Sequence, residues 1–242
     1  MQRQDMPPGP PPLILLTRPA PASARFAARL AVAHPQVEVL ISPLQEVRML
    51  DWTRPAQAAA ALIFTSQTAV LAAAAAGLGG RAYCVGNQTA EAAERAGFDA
   101  SSAGGDAAAL TARITTDGPR HLWHLHGPST TGDVAGTLRA AGFTVSEAVV
   151  YDLIALPLTA AAQAALTGPR PILLPIFSPR SAARLAEVLT LATAPLTLLG
   201  LSAAVDHAAS AIPARHRHIA KRPDADGMLE IVAWALNSGA LS

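Results

Sequence analysis

Short apolar runs alternate with alanine-rich stretches along most of this chain. Seven times such a run ends in a loop of small, hydroxyl-bearing, Gly or Pro residues, and a helical stretch follows. The runs are Leu13–Leu16, Leu62–Phe64, Tyr83–Val85, Leu122–Leu125, Ile172–Phe177, Leu196–Leu199 and Ile219–Ala220. An apolar run without polar alternation marks a strand buried on both faces, and such strands belong to parallel sheets. The loops supply N-cap residues and prolines near the first helical turn. Alternating strands and helices predict an α/β fold with parallel sheets flanked by helices.

Two segments break the alternation. Val37–Val47 (VEVLISPLQEV) and Val145–Leu156 (VSEAVVYDLIAL) are strand-like with no helix directly behind them, and Pro43 and Pro157 punctuate them. Three of the seven units lie between them and four outside. This layout predicts one α/β domain inserted into another. Residues 13–42 and 154–242 form the outer domain and 45–148 the inserted one. The crossings at 43–44 and 149–153 form a two-stranded antiparallel neck, and two lobes on a neck leave a cleft. Residues 1–12, MQRQDMPPGPPP, read as a disordered tail.

Composition narrows the function classes. The 242 residues suit one large or two ordinary domains. Hydrophobic residues at 51% and charged residues at 14% predict a folded chain. The 55 alanines favour helices. Eighteen Lys and Arg against 17 Asp and Glu leave a net charge of +1, which argues against nucleic acid or an anionic membrane as the partner. Lys221 is the one lysine, and it sits in neither a P-loop nor a Schiff-base context. The lone Cys84 excludes an intrachain disulfide and a CxxC site, and a cytoplasmic, reducing location is expected. No signal-peptide core precedes the proline run. The longest apolar stretch, Ala69–Leu78, is ten residues, where a membrane-spanning helix needs about 20.

Several motifs are missing. No GxGxxG follows a strand, and there is no GxxxxGK[ST], HExxH or GxSxG. His124 and His126 share a strand face at i, i+2, as do His216 and His218. A metal would need further ligands, and the nearest acids along the chain are Asp117 and Asp133. Partly exposed strand-end histidines and no metal are therefore expected. Asp224 and Asp226 read as cap and dipole partners of a helix.

In parallel α/β sheets, ligands bind beyond the carboxyl ends of the strands. Here those ends carry hydroxyls, free backbone N–H groups and helix N-termini, which attract phosphates and carboxylates. A polyanion could be held without a basic patch. Helix caps of this kind also occur with no ligand at all.

The chain resembles the uroporphyrinogen-III synthases. The matching pieces are Leu15-Leu16-Thr17-Arg18-Pro19, Ile63-Phe64-Thr65-Ser66-Gln67-Thr68-Ala69-Val70, and Val85-Gly86-Asn87-Gln88-Thr89-Ala90 with Ala96-Gly97-Phe98 behind it. Leu125-His126-Gly127, Leu138-Arg139-Ala140-Ala141-Gly142-Phe143, Val149-Val150-Tyr151 and Phe177-Ser178-Pro179-Arg180-Ser181-Ala182 follow in the expected order. The resemblance spans nearly all of residues 13–235.

It implies two α/β lobes on a two-stranded neck and no metal or organic cofactor. It implies a lyase acting on hydroxymethylbilane, a linear tetrapyrrole with eight carboxylates. The terminal hydroxyl leaves, giving an azafulvene. A spiro-pyrrolenine then forms, fragments and recloses with ring D inverted. The family's tyrosine on the returning neck strand maps onto Tyr151. A phenol, with an ordinary pKa of about 10, keeps its proton at neutral pH and can donate it. Thr65, Ser66, Gly86, Asn87 and Thr89 match substrate-facing loops of the inserted lobe, and Ser178, Pro179, Arg180 and Ser181 those of the outer lobe. Thr17 and Arg18 are kept, and Arg18 is either a carboxylate partner or a salt bridge at the neck. Two departures weaken the match. Gly200-Leu201-Ser202-Ala203-Ala204 stands where many members have Gly-x-Thr-Thr-Ala, so one hydroxyl is lost. Pro128-Ser129-Thr130-Thr131 follows Gly127 where many carry an arginine. A monomer is expected, with its bilane delivered by the preceding deaminase. The competing readings are a non-catalytic two-lobed module for a small polyanion and a sugar- or nucleotide-transferring enzyme.

Overall fold

The computed structural model describes residues 11–130, 132–189 and 192–238, so most of the expected tail and Thr131 lie outside it. In chain order the elements begin with β1 (Leu13–Leu16), α1 (Ala20–Ala33), β2 (Val39–Ile41), β3 (Gln45–Met49), β4 (Ala61–Phe64), α2 (Gln67–Ala75) and β5 (Gly80–Cys84). Then come α3 (Asn87–Arg95), β6 (Phe98–Ser102), α4 (Ala107–Asp117), β7 (His121–His126), α5 (Val134–Ala140), β8 (Thr144–Val149) and β9 (Tyr151–Ala155). The last are α6 (Ala160–Thr167), β10 (Ile172–Ile176), α7 (Pro179–Val188), β11 (Leu196–Gly200), α8 (Ala203–Ala208), β12 (His216–Ile219) and α9 (Ala225–Asn237).

The chain divides into two compact units. The first takes residues up to Glu46 and again from Ala155, and the second is Val47–Ile154. The first unit has a five-stranded sheet in the order β12-β11-β10-β1-β2, and the second one in the order β6-β5-β4-β7-β8. Every pairing recorded in these two sheets is parallel. β3 and β9 form a separate antiparallel pair. Backbone bonds from Leu50 N–H to the Val150 carbonyl and from Leu156 N–H to the Leu44 carbonyl frame it. The sequence reading puts these crossings at 43–44 and 149–153, and the paired strands start two residues later.

Burial explains why the strands read as unbroken apolar runs. In β1, Leu13 and Leu15 enter the core on one face, Ile14 and Leu16 the core on the other. In β4, Leu62 and Phe64 pack with residues of α2 and α3, while Ala61 and Ile63 pack with residues of α4 and α5. Such a strand has no polar face to show in the sequence.

Two expectations need correction. The second unit holds a fourth strand–helix pair, β6 with α4. β6, FDASS, is an edge strand with only Phe98 buried, so it carries no apolar run. The final strand is β12, HRHI, which starts before the expected Ile219–Ala220 and is also an edge strand.

Candidate functional site

A crevice opens in a doubly wound parallel sheet where the strand order reverses, beyond the carboxyl ends. In the second unit that point lies between β4 and β7. The chain leaves β4 through Thr65-Ser66 and β7 through Gly127. Ser66 caps α2, its Oγ accepting the Ala69 N–H at 3.1 Å. Tyr151 opens β9 and donates its phenol hydrogen to the same Oγ at 3.1 Å. The phenol ring lies against the Cα of Gly127: a Cβ built there would stand 2.5 Å from Tyr151 Cζ. Ser66, Gly127 and Tyr151, separated by up to 85 residues in the chain, meet here.

Thr65 points to the other face of the sheet, where its Oγ1 lies 3.5 Å from His124 Nε2. The expectation of partly exposed strand-end histidines fails at His124, which is 1% exposed. β7 is flanked by β4 and β8 and covered by α5, so its inner positions are sealed. Burial, with nearby His126 adding to it and Glu147 opposing, pushes the His124 pKa down to about 4. Glu147, absent from the sequence reading, lies directly opposite His124 in the β7–β8 register.

The helix ends differ in one respect. Ser66, Asp106 and Asp133 cap α2, α4 and α5 with their side chains. Gly86 stands at the N-cap of α3, which therefore has no side-chain cap. Gly86, Asn87, Gln88 and Thr89 line an open cavity of about 320 Å³ with Gly104 and Gly105. Asn87 Oδ1 accepts the Ser102 hydroxyl at 2.7 Å, tying the loop to β6. Thr89 itself is buried. An uncapped helix N-terminus beside glycines is suited to a carboxylate. Cys84 is buried at the end of β5, and burial, with Glu94 adding to it, pushes its thiol up to about 11. It is no nucleophile at neutral pH.

In the first unit the strand order reverses between β1 and β10. Buried Thr17 and half-buried Arg18 follow β1. The Arg18 guanidinium stacks over the Phe177 ring, 4.1 Å from its centroid. Among the described residues no ion pair involves Arg18, and the salt bridge between the neck strands joins Arg48 and Asp152 at 3.3 Å. Ser178 caps α7 and shares a 2.8 Å hydrogen bond with Ser181. Pro179 is the first helical residue and Arg180 is exposed beside it. Gly200 ends β11, and Ser202 caps α8 through the Val205 N–H at 3.4 Å. Phe177 joins this group by its contact with Arg18, though only its place in the PheSerProArgSer motif marks it in the sequence.

A family model for uroporphyrinogen-III synthase HemD matches residues 26–230. The chain belongs to the uroporphyrinogen-III synthase family. The family's enzymes are lyases that cyclise hydroxymethylbilane, and the match favours no non-catalytic binding module. The fold is similar to that of uroporphyrinogen-III synthetase from Helicobacter pylori, with a TM-score of 0.64 at 18% identity over 92% of this chain and 98% of that one. It is also similar to a mutant uroporphyrinogen III synthase from Thermus thermophilus, with a TM-score of 0.51 at 15% identity over 94% and 99%. At these identities the likeness carries the fold alone. No curated protein sequence matches the chain. Among the described residues no helix is long and apolar enough to cross a membrane.

Proposed function

We propose that in the family's reaction, closure of hydroxymethylbilane to uroporphyrinogen III, Tyr151 gives the proton that lets the terminal hydroxyl leave as water. The observation that carries this reading is the position of the phenol, 3.1 Å from Ser66 Oγ at the switch point of its sheet. The bilane cyclises unaided to the wrong isomer, so the protein's main task is geometric. It must hold the chain so that ring D reacts through the spiro-pyrrolenine and recloses inverted, which is catalysis by positioning. A proton donor beside the leaving oxygen adds to this.

Carboxylates are held at strand ends in each unit. In the second unit the α3 N-terminus at Gly86 takes one, and in the first unit Arg18 and the α7 N-terminus are the matching groups. Hydrogen bonds to a charged carboxylate are worth about 1.5–3 kcal/mol each, and a few of them suffice for micromolar binding, about −8 kcal/mol. The same reading has the chain act as a monomer in the cytoplasm, receiving its bilane from the deaminase that makes it.

Product analysis tests the function. Bilane generated in place from porphobilinogen by the deaminase should give mainly type I uroporphyrin alone and mainly type III with this protein present. Type I alone, from protein shown to be folded, would overturn the assignment. Gly86→Asp tests the carboxylate site. Gly86 is extended (φ −149°) with open space around a Cβ, so the aspartate fits and caps α3. Stability should rise by a few tenths, about 0.3 kcal/mol, while KM for the bilane rises several-fold. A stabilised variant with unchanged KM would remove α3 from the binding site.

A further inference from the structure

The face of the second sheet turned away from Tyr151 carries a group the family's reaction does not use. His124, His126 and Glu147 each offer one donor atom, and these three atoms all lie within 4.8 Å of one another. Glu147 Oε1 is 3.7 Å from His124 Nδ1 and 3.6 Å from His126 Nε2, too far for hydrogen bonds. His124 Nδ1 is buried and has no hydrogen-bond partner.

The proton on His126 can be located. Its Nδ1 lies 2.6 Å from the carbonyl oxygen of Gly127. A carbonyl only accepts, so Nδ1 carries the hydrogen and Nε2 of the neutral ring presents a lone pair. Metal-bound histidines are oriented this way, with the far nitrogen donating to a backbone carbonyl. Two imidazole nitrogens and a carboxylate oxygen thus converge with no hydrogen bond between them.

We infer that His124, His126 and Glu147 form a three-ligand site for a divalent cation of the zinc class. Two imidazoles and one carboxylate with an open fourth position are a recurrent zinc set. Bonds of about 2.1 Å in a tetrahedron put donor atoms about 3.4 Å apart, close to the two distances to Glu147. His124 and His126 are spaced i, i+2 on β7, and the parallel register sets Glu147 of β8 opposite His124. Glu147 is the outermost of the three, with a side chain 36% exposed, so the site has a route to solvent. Arg139 binds the other carboxylate oxygen at 2.9 Å. Its charge weakens the site, but its hydrogen bonds to the Val145 carbonyl and its ion pair with Oε2 hold the carboxylate with Oε1 toward the histidines. No step of ring closure is assigned to the ion. Through His126 and the Gly127 carbonyl it would sit one residue from the glycine that holds Tyr151.

The test is calorimetric titration of zinc chloride into the full chain, without a histidine tag and stripped by chelator. One ion per chain should bind in the micromolar range. Glu147→Gln keeps the size and the Arg139 contact, and His126→Asn keeps a donor for the Gly127 carbonyl. Each should weaken binding by at least about tenfold, as losing a ligand exceeds the effect of losing its support, with circular dichroism unchanged. A double variant, His216→Asn with His218→Asn, removes the other histidine pair and should bind as before. Absence of micromolar binding, binding that survives Glu147→Gln, or binding lost only with the β12 pair would each overturn the site.

Discussion

Tyr151→Phe is expected to lower formation of uroporphyrinogen III by at least about tenfold, equal to about 1.4 kcal/mol in the barrier. The substitution removes one oxygen. The ring is 9% exposed and packed in the core formed with α2 and α3, and that packing is kept. Ser66 Oγ loses a donor but still caps α2. The lost hydrogen bond is worth about 1 kcal/mol of stability, too little to unfold the unit. The fall in rate would therefore report on the proton donor. Bilane that is no longer processed cyclises by itself, so the type I share of product should rise as the rate falls. Ser66→Ala is the matched control. It costs about 1 kcal/mol through the lost cap but leaves the phenol in place, so its activity should fall less. A folded Tyr151→Phe protein with unchanged rate and isomer ratio would exclude Tyr151 as the donor.

The legibility of this fold follows from burial. β1, β4, β10 and β11 are buried throughout, so each stands out as an apolar run. β6 and β12 are sheet edges that face solvent on one side, and their polar residues hide them. Helix starts are visible because Ser66, Asp106, Ser178 and Asp224 accept backbone N–H groups at their N-termini, a local effect. Contacts set by register are another matter. Glu147 is 21 positions beyond His126, and nothing in either run states which residue of β8 faces which residue of β7. Interdigitation of side chains from α4, α5 and the sheet decides that, so distance along the chain does not single out Glu147. Asp133 is occupied as the cap of α5. Tyr151 stands between these cases. Period and burial say only that it begins a strand, and the family resemblance is what singles it out. Its partners, Ser66 and Gly127, become evident only where β4 and β7 lie side by side.

Gly127→Val is expected to have the larger effect. Gly127 needs no left-handed backbone, so conformation is no obstacle. The obstacle is Tyr151: a Cβ would meet Cζ at 2.5 Å, Cε2 at 2.6 Å and the hydroxyl oxygen at 2.7 Å. All three lie inside the closest approach of real Cβ atoms, and valine adds two methyl groups beyond. The ring has little room to retreat, since Tyr151 is buried and belongs to the same core cluster as Phe64 and Leu125. It must swing away from Ser66 or push the β7 loop outward. Overpacking of this kind costs about 1–3 kcal/mol. Displacing the phenol by about 1 Å costs on the order of a hundredfold in rate where position supplies the catalysis. Type III formation should accordingly fall further than in Tyr151→Phe, and the thermal midpoint should drop with it. A stability cycle separates clash from general damage. In a Tyr151→Ala background the space is vacant, so Gly127→Val should cost much less there, a coupling of contacting residues. Equal costs in both backgrounds, or full activity in Gly127→Val, would show that this glycine does not position the tyrosine.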